Sequence, residues 1–187
     1  MIKRYFDLIT AVILLVCLSL PFLIFAVIIK LTSKGPVLYW SDRVGKDNKI
    51  FEMAKFRTMR VDTPSVATHL FKDAQRYITL VGSFLRKFSL DELPQLFNII
   101  SGDMTFIGPR PALFNQYDLI ELRTRKNVHT LIPGVTGWAQ VNGRDDLPIP
   151  DKVKFDEYYL KNRNLLMDVK IMLITVSKVI KKEGVSH

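Results

Sequence analysis

The sequence predicts an α/β, helix-rich fold in which an N-terminal helical pair in the membrane precedes one compact domain. Three patterns lead to this prediction: an uncharged apolar run near the N-terminus, short strand-like segments after it, and amphipathic helical segments that follow. The chain has 187 residues, enough for one domain with a buried core. We therefore expect a membrane hairpin over residues 1–31 and a single domain at the membrane interface over residues 32–187.

The apolar run covers residues 8–29, 22 residues without a charge. As one straight helix it would extend about 33 Å, enough to cross a hydrocarbon core of about 30 Å. Pro21 removes a backbone donor and displaces the carbonyl of Cys17, so the helix should bend. Basic residues flank both ends, which favours a cytoplasmic position for both. A re-entrant helical hairpin satisfies both features, and a kinked spanning helix is the alternative.

The first segments of the domain are strand-like. Residues 37–40 and 49–59 are rich in β-branched and aromatic side chains, which predicts two strands, and a loop over residues 61–69 follows them. Glycines and prolines predict two further non-helical loops over residues 102–111 and 133–144.

Helices are expected where apolar residues recur at helical spacing. These segments cover residues 76–88, 112–126, 151–162 and 165–182. The last of them combines an apolar stripe with lysines. It is therefore either a core helix with a solvated lysine face or a helix that lies on a membrane surface.

The charge of the chain points to anionic partners. Lysine and arginine outnumber the acids 27 to 18, a formal charge of +9. Phosphorylated small molecules and acidic lipid head groups fit this charge. Nucleic acid is disfavoured, because the basic residues form no continuous helical stripe and no aromatic stacking pattern accompanies them. The single Cys17 excludes an internal disulfide, and the three histidines lack metal-ligand spacing, so no zinc site is expected.

The stretch FSLDELPQLFN, residues 88–98, places two acids side by side before an apolar run. Ser89 followed by Glu92 matches a capping box, with Pro94 in the first turns of a helix. Taken alone, this structural interpretation is preferred, since capping boxes are common.

The surrounding arginines favour a second interpretation. Arg57, Arg86, Arg110 and Arg144 lie in or beside loops, and arginine forks bind phosphate oxygens. An ionised aspartate can attack phosphorus, and a neighbouring glutamate can hold a magnesium ion. Surface solvation is the alternative for each arginine taken singly. Their position in glycine- and proline-rich loops favours a phosphate site.

Several motifs in series resemble those of one family. They are KFRTM, the stretch from Arg86 to Asn98, GDM followed by IGPRP, PGVTGWAQVNGR, and DVKI beginning at Asp168. In this order, and over nearly the whole chain, they resemble the small monotopic phosphoglycosyl transferases, which begin assembly of lipid-linked glycans in bacteria.

The resemblance implies transfer of a sugar 1-phosphate from a UDP-sugar to undecaprenyl phosphate, through a covalent aspartyl-phosphosugar and with release of UMP. It implies a monotopic enzyme that needs Mg²⁺ and contacts membrane lipids at the cytoplasmic face of the bacterial inner membrane. The family hairpin breaks at Ser-Pro. Because this chain reads Ser19-Leu20-Pro21, we expect its break one residue further along.

The resemblance also assigns site residues. Asp91 is the expected nucleophile, Glu92 the magnesium ligand, and Arg86 a phosphate-binding residue, while Arg57 is expected to pair with Asp168 and orient the site. The expected substrate-binding residues are Lys55, Arg110, Gln140, Asn142 and Arg144. An N-acetylated hexosamine is favoured as the sugar, with residues 145–159 helping to choose it. The glycan served (O-antigen, capsule or glycoprotein) and the oligomeric state are not predicted.

Two other functions are compatible with parts of the pattern. A membrane-tethered basic module could bind acidic lipids without catalysis, and it would tolerate Asp91→Asn. A sugar-nucleotide hydrolase would release UMP without any polyprenyl phosphate. An enzyme of the proposed kind would lose turnover by orders of magnitude with Asp91→Asn.

Overall fold

The computed structural model describes residues 2–63, 74–143 and 147–181 and confirms an α/β, helix-rich architecture. The helices of the described part are α1 (Ile2–Cys17), α2 (Ser19–Thr32), α3 (Ala74–Tyr77), α4 (Leu80–Lys87), α5 (Gln95–Ser101), α6 (Tyr117–Arg125), α7 (Trp138–Asn142), α8 (Ile149–Asn162) and α9 (Leu165–Lys181). The strands are β1 (Leu38–Val44), β2 (Ile50–Phe56), β3 (Thr105–Ile107), β4 (Ala112–Leu113) and β5 (Gly134–Thr136). Short 3₁₀ helices cover Lys46–Asn48, Leu90–Glu92 and Val128–Thr130.

The N-terminal apolar run forms two helices that bend by 62° where α1 meets α2. The break lies at Leu18, not beside the proline as expected. Pro21 cannot donate to the carbonyl of Cys17, so a continuous helix would lack that bond. In the first turn of a new helix the amide needs no helical partner, and Pro21 therefore fits where α2 begins. Within the described residues, no single helix is long and apolar enough to cross a membrane; α1 and α2 reach that length only together.

One face of the bent pair packs on the domain and the other is exposed. Ala11 is fully buried against Met53 of β2 and Leu96 and Ile99 of α5. Phe22 of α2 contacts the rings of Phe56 and Phe97 at centroid distances of 5.3 and 6.0 Å. The exposed apolar side chains include Phe6, Ile9, Val12, Ile13, Val16, Leu20, Leu23, Ile24, Val27, Ile28 and Leu31. The helical pair is thus part of the domain core on one side only.

Two small sheets form the centre of the domain. β1 pairs antiparallel with β2, from Leu38 opposite Phe56 to Val44 opposite Ile50, and with β4 on its other edge. β3 and β5 pair in parallel. A Cβ at Gly134 would lie 2.1 Å from the amide nitrogen of Gly108, so the close approach of the two segments requires glycine.

Some predicted boundaries are wrong. The two expected loops contain β3, β5 and α7, because a short parallel pair far apart in sequence has no local signature. The helix expected over residues 76–88 is two helices, since Thr79 caps a new one by accepting a bond from the amide of Gly82 at 2.9 Å. The helix expected over residues 112–126 begins with β4 and turns helical only at Tyr117. The predicted helices near the C-terminus match α8 and α9.

Candidate active site

The acidic pair lies in a tight turn between α4 and α5. Ser89 has a left-handed backbone with φ of 55° and makes no side-chain capping bond, while Leu90–Glu92 forms a single 3₁₀ turn. The capping-box prediction is therefore wrong, because the positive φ turns the chain away from the geometry that a cap requires. α5 begins only after Pro94.

Glu92 is held by two cations from distant parts of the chain. Its Oε1 accepts a hydrogen bond from Nζ of Lys55 at 2.7 Å and another from Nη2 of Arg110 at 3.0 Å. The same Lys55 nitrogen lies 3.9 Å from Oδ2 of Asp91. The structure thus brings together four of the predicted site residues, two acids and two cations.

Two hydrogen bonds of Asn98 hold the strand that carries Lys55 beside the acidic pair. Its Oδ1 accepts from the backbone nitrogen of Ala54 at 2.9 Å, and its Nδ2 donates to the carbonyl of Glu52 at 2.7 Å. The amide thereby takes the place of a neighbouring strand and fixes the edge of β2 to α5, which follows the acidic pair directly. Lys55 is the next residue on that strand.

Arg86 approaches the acidic pair from α4. Its Nε donates to Oγ1 of Thr58 at 2.9 Å, and its charge favours the ionised form of Asp91. α4 reaches this position because Gly82 packs directly on the backbone of Thr58, where a Cβ would lie 2.0 Å from the carbonyl oxygen. Arg86 therefore lies close enough to Asp91 for their charges to interact, while its binding of phosphate stays a prediction.

The two carboxyl groups have opposite pKa shifts. Burial raises the pKa of Asp91 above 3.8, with Glu92 adding to the rise, while Lys55, Arg86 and Arg110 oppose it. Burial also disfavours ionised Glu92, but Arg110 and Lys55 outweigh it and hold the pKa of Glu92 well below its usual range. Glu92 is therefore a fixed anion, and Asp91 is the more basic of the pair.

The expected ion pair between Arg57 and Asp168 is wrong. Arg57 is buried, and its Nη2 donates to the carbonyl and the hydroxyl of Ser33, at 2.8 and 2.6 Å. It forms no ion pair with any described residue, and burial lowers its pKa. The guanidinium instead lies at the C-terminal end of α2, where the helix dipole favours a cation.

Asp168 has other partners. Its Oδ2 pairs with Nζ of Lys3 at 2.7 Å, and its Oδ1 accepts from the hydroxyl of Tyr159 at 2.7 Å. Both Lys3 and Tyr159 also donate to the carbonyl of Ile107, at 2.9 and 3.2 Å. Asp168 therefore belongs to a junction of α1, β3, α8 and α9. No motif or spacing in the sequence indicated Lys3 and Tyr159 as its partners.

Two predicted substrate-binding residues, Gln140 and Asn142, are not brought to the acidic pair. Gln140 donates to the carbonyl of Val135 at 2.9 Å, and Asn142 donates to the carbonyl of Trp138 at 2.7 Å. These bonds are local to α7 and the turn before it. Arg144 lies outside the described residues.

Gln95 was missed by the sequence reasoning. It is 1% exposed, and neither its Oε1 nor its Nε2 has a hydrogen-bond partner among the described residues. It begins α5, three residues after Glu92. A buried amide without partners is costly unless a ligand or water satisfies it. Its position inside the DELPQLFN motif was the only available signal.

The carboxylate oxygens of Asp91 and Glu92 suit a divalent cation that is also bound by the phosphates of a substrate. Both ion pairs of Glu92 use Oε1, so its Oε2 and the carboxylate of Asp91 are the oxygen donors at hand. No group of three or more acidic, histidine or cysteine side chains in the described ranges could hold a metal ion. Magnesium commonly binds to one or two carboxylates and completes its shell with substrate phosphates and water, and the site fits that pattern.

The comparisons with known proteins all point to one family, the bacterial sugar transferases. A family model described as bacterial sugar transferase matches residues 1–182. An uncharacterized sugar transferase, EpsL of Bacillus subtilis, is 40% identical over 188 residues, which cover all of this chain and 91% of that protein.

Two further relatives carry an activity in their names. The UDP-N-acetylgalactosamine-undecaprenyl-phosphate N-acetylgalactosaminephosphotransferase of Aeromonas hydrophila is 40% identical over 96% of this chain. The UDP-glucose:undecaprenyl-phosphate glucose-1-phosphate transferase of Escherichia coli is 39% identical over 95% of it. This chain spans 44% and 40% of the length of those two relatives.

Proposed function

Because this chain belongs to the bacterial sugar transferase family, we propose that it transfers a sugar 1-phosphate from a UDP-sugar to undecaprenyl phosphate. The names of its relatives support this acceptor, and they differ in the sugar. The products would be UMP and a polyprenyl diphosphate sugar, the first membrane-bound intermediate of a glycan.

In the first step, a carboxylate oxygen of Asp91 attacks the phosphorus that carries the sugar. The new bond joins that oxygen to phosphorus, the bond from phosphorus to the bridging oxygen of the diphosphate breaks, and UMP leaves with both electrons of that bond. Lys55, Arg86 and Arg110 surround Asp91 and stabilise the negative charge that develops on the transferring group.

In the second step, an oxygen of undecaprenyl phosphate attacks the same phosphorus. The bond to the Asp91 oxygen breaks, and the carboxylate returns to its ionised form. No net proton transfer is required, since both the attacking and the leaving groups are anions. The raised pKa of Asp91 makes its ionised form a better nucleophile in the first step.

Magnesium would be held by Glu92, with Asp91 close by, and by the phosphates of the donor. When bound, it would neutralise phosphate charge and favour the departure of UMP. Lys55 and Arg110 fix Oε1 of Glu92, so that its other oxygen has a defined position before the donor binds.

The position of the site suits a soluble donor and a lipid acceptor. α5, which follows the acidic pair, packs directly on α1, and Phe22 of α2 contacts the ring of Phe97. We propose that the bent pair enters the cytoplasmic leaflet of the inner membrane and returns, as a re-entrant hairpin. Its outer face is apolar and exposed, as a lipid-embedded surface would be. Asp91 would then lie near the head groups.

One observation carries this proposal: a buried aspartate lies among three cations, in the turn directly before a helix that packs against the bent, apolar N-terminal pair. The test uses the full chain in lipid nanodiscs with Mg²⁺ and undecaprenyl phosphate. UDP-glucose, UDP-galactose, UDP-N-acetylglucosamine and UDP-N-acetylgalactosamine are supplied in turn, and UMP is measured.

We expect UMP release that depends on the lipid with at least one donor. UMP release of equal rate without undecaprenyl phosphate would favour a hydrolase and contradict the proposal. No UMP from any donor, together with vesicle binding that Asp91→Asn leaves intact, would favour a lipid-binding module instead.

A further inference from the structure

The segment that carries Arg110 is fixed by bonds to its backbone. The carbonyl of Pro109 accepts from the amide of Gly134 at 2.9 Å, and the amide of Gly108 donates to Thr136 at 2.8 Å. The carbonyl of Arg110 itself accepts from Nη1 of Arg123 at 2.8 Å. A side chain from α6 thus holds the backbone of the residue whose own side chain contacts Glu92.

Arg123 is in turn held by a single buried acid. Its Nε and Nη2 donate to Oδ2 of Asp156 on α8, at 3.0 and 2.7 Å. Arg123 is 7% exposed and Asp156 only 1%. The carboxylate therefore determines where the guanidinium lies, and with it the nitrogen that reaches Arg110.

The planar guanidinium is needed for both contacts at once. Two of its nitrogens donate to Asp156 while the third donates to the carbonyl of Arg110. The rigid, planar guanidinium can make these contacts at the same time. Lysine carries one compact ammonium at the end of a flexible chain, so it would lose at least part of this geometry. Arg123→Lys is therefore an informative substitution that keeps the charge.

A small cavity of about 30 Å³ lies beside the segment, lined among others by Pro109, Pro111 and Arg123. The hydrogen bonds to the backbone add to the packing contacts that hold the segment on this side. A buried ion pair is seldom retained for stability alone, since an apolar replacement is often as stable.

We propose that Arg123 and Asp156 are positioning residues that set the place of Arg110 against Glu92 during sugar-phosphate transfer. Neither touches the acidic pair, so they act through the backbone of Arg110. This inference rests on the proposed function, because it concerns the rate of that reaction. A shift of about 1 Å in a charged group can reduce a rate roughly 100-fold, so the placement of Arg110 by this buried pair should affect the rate strongly.

A double-mutant cycle tests whether Arg123 acts through Arg110. Arg123→Lys, Arg110→Ala, the double variant and wild type are compared in the nanodisc assay, with radiolabelled donor so that weak turnover is measured. We expect Arg110→Ala to lower kcat roughly 100- to 1,000-fold. Arg123→Lys should lower it about 10- to 100-fold in wild type, and less than about twofold in the Arg110→Ala background.

Two results would overturn the inference. One is an equal loss from Arg123→Lys in both backgrounds, which a merely structural role would produce. The other is a turnover of Arg123→Lys equal to that of wild type. If Arg123→Lys does not fold, Asp156→Glu, which keeps the charge and moves the carboxylate, is put through the same cycle and judged by the same criteria.

Arg125→Lys is the matched control. It lies two residues along the same helix and pairs with Glu121 on the exposed surface. It should behave as wild type. Failure of the proposed function is distinguishable from failure of this inference, because in the first case the wild type itself shows no lipid-dependent UMP release.

Discussion

Nζ of Lys3 lies 2.7 Å from Oδ2 of Asp168, so the first turn of the bent N-terminal pair is joined to the last helix of the domain. Tyr159 bonds to the same carboxylate from α8, and it is almost wholly buried. The position of the bent pair relative to the domain is thus determined partly by polar contacts near its N-terminal end. This relationship leads to the first prediction.

Lys3→Met should lower the free energy of unfolding by roughly 1 kcal/mol. The expected loss of stability is modest because the Lys3 side chain is 42% exposed, so solvent screens the ion pair. In a domain of this size the melting temperature should fall by about 2–4 °C, measured in detergent or nanodiscs. Lys154→Met, which removes an exposed pair within α8, is the control and should change it by less. Equal effects of the two variants would contradict a specific role for the junction.

The rate of the first chemical step should depend on pH through Asp91. Burial raises the pKa of this carboxyl above 3.8, and only the ionised form attacks phosphorus. The rate of loading from the donor, in single turnover without lipid, should therefore be constant near neutral pH. It should fall about tenfold per pH unit below a midpoint that lies above 3.8. A rate that stays constant down to pH 3.8 would contradict a buried nucleophile of raised pKa.

Glu92→Gln should raise the magnesium concentration needed for half-maximal turnover by roughly 10- to 100-fold. The amide keeps the shape of the side chain but loses the charge that binds a cation and that Lys55 and Arg110 hold in place. A magnesium titration of initial rates measures the change. Glu121→Gln, on the exposed face of α6, should leave the titration unaltered. An unchanged magnesium requirement in Glu92→Gln would remove Glu92 as the ligand.

The topology of the hairpin can be read from cysteine labelling. Cys17 is the single cysteine of the chain, so Cys17→Ser gives a background free of thiols. Ile2→Cys and Lys34→Cys then place one label at the first residue of α1 and one after α2. In inverted and right-side-out vesicles, a membrane-impermeant maleimide should reach both from the same side. Labelling from opposite sides would show a spanning helix.

The motifs of the sequence indicated which charged residues lie near Asp91, but not the partners of Asp168 and Arg57. Asp91, Glu92, Arg86 and Arg110 lie in one contiguous series of motifs, and the structure brings them together with Lys55. The pairing of Asp168 with Lys3 was not predicted, since it joins the two ends of the chain. A contact between residues so far apart leaves no periodic or local pattern in a single sequence.

The same limit explains the errors in the predicted helices, strands and loops. Long segments with helical spacing were predicted well, as α8 and α9 show. β3 and β5 contain only three residues each and pair in parallel, so glycines and prolines around them suggested loops. The burial of Arg123 and Asp156 could not be predicted from the sequence either, because a charged residue is expected at the surface unless its partner is known.

The most direct test of the account is the mass of the Asp91 peptide after the protein is incubated with magnesium and a UDP-sugar, without lipid. The account predicts a phosphosugar on Asp91 that disappears, with formation of glycolipid, when undecaprenyl phosphate is added. Asp91→Asn should carry no adduct and make no glycolipid. An unmodified Asp91 peptide in a preparation that transfers sugar phosphate to lipid would contradict the covalent mechanism.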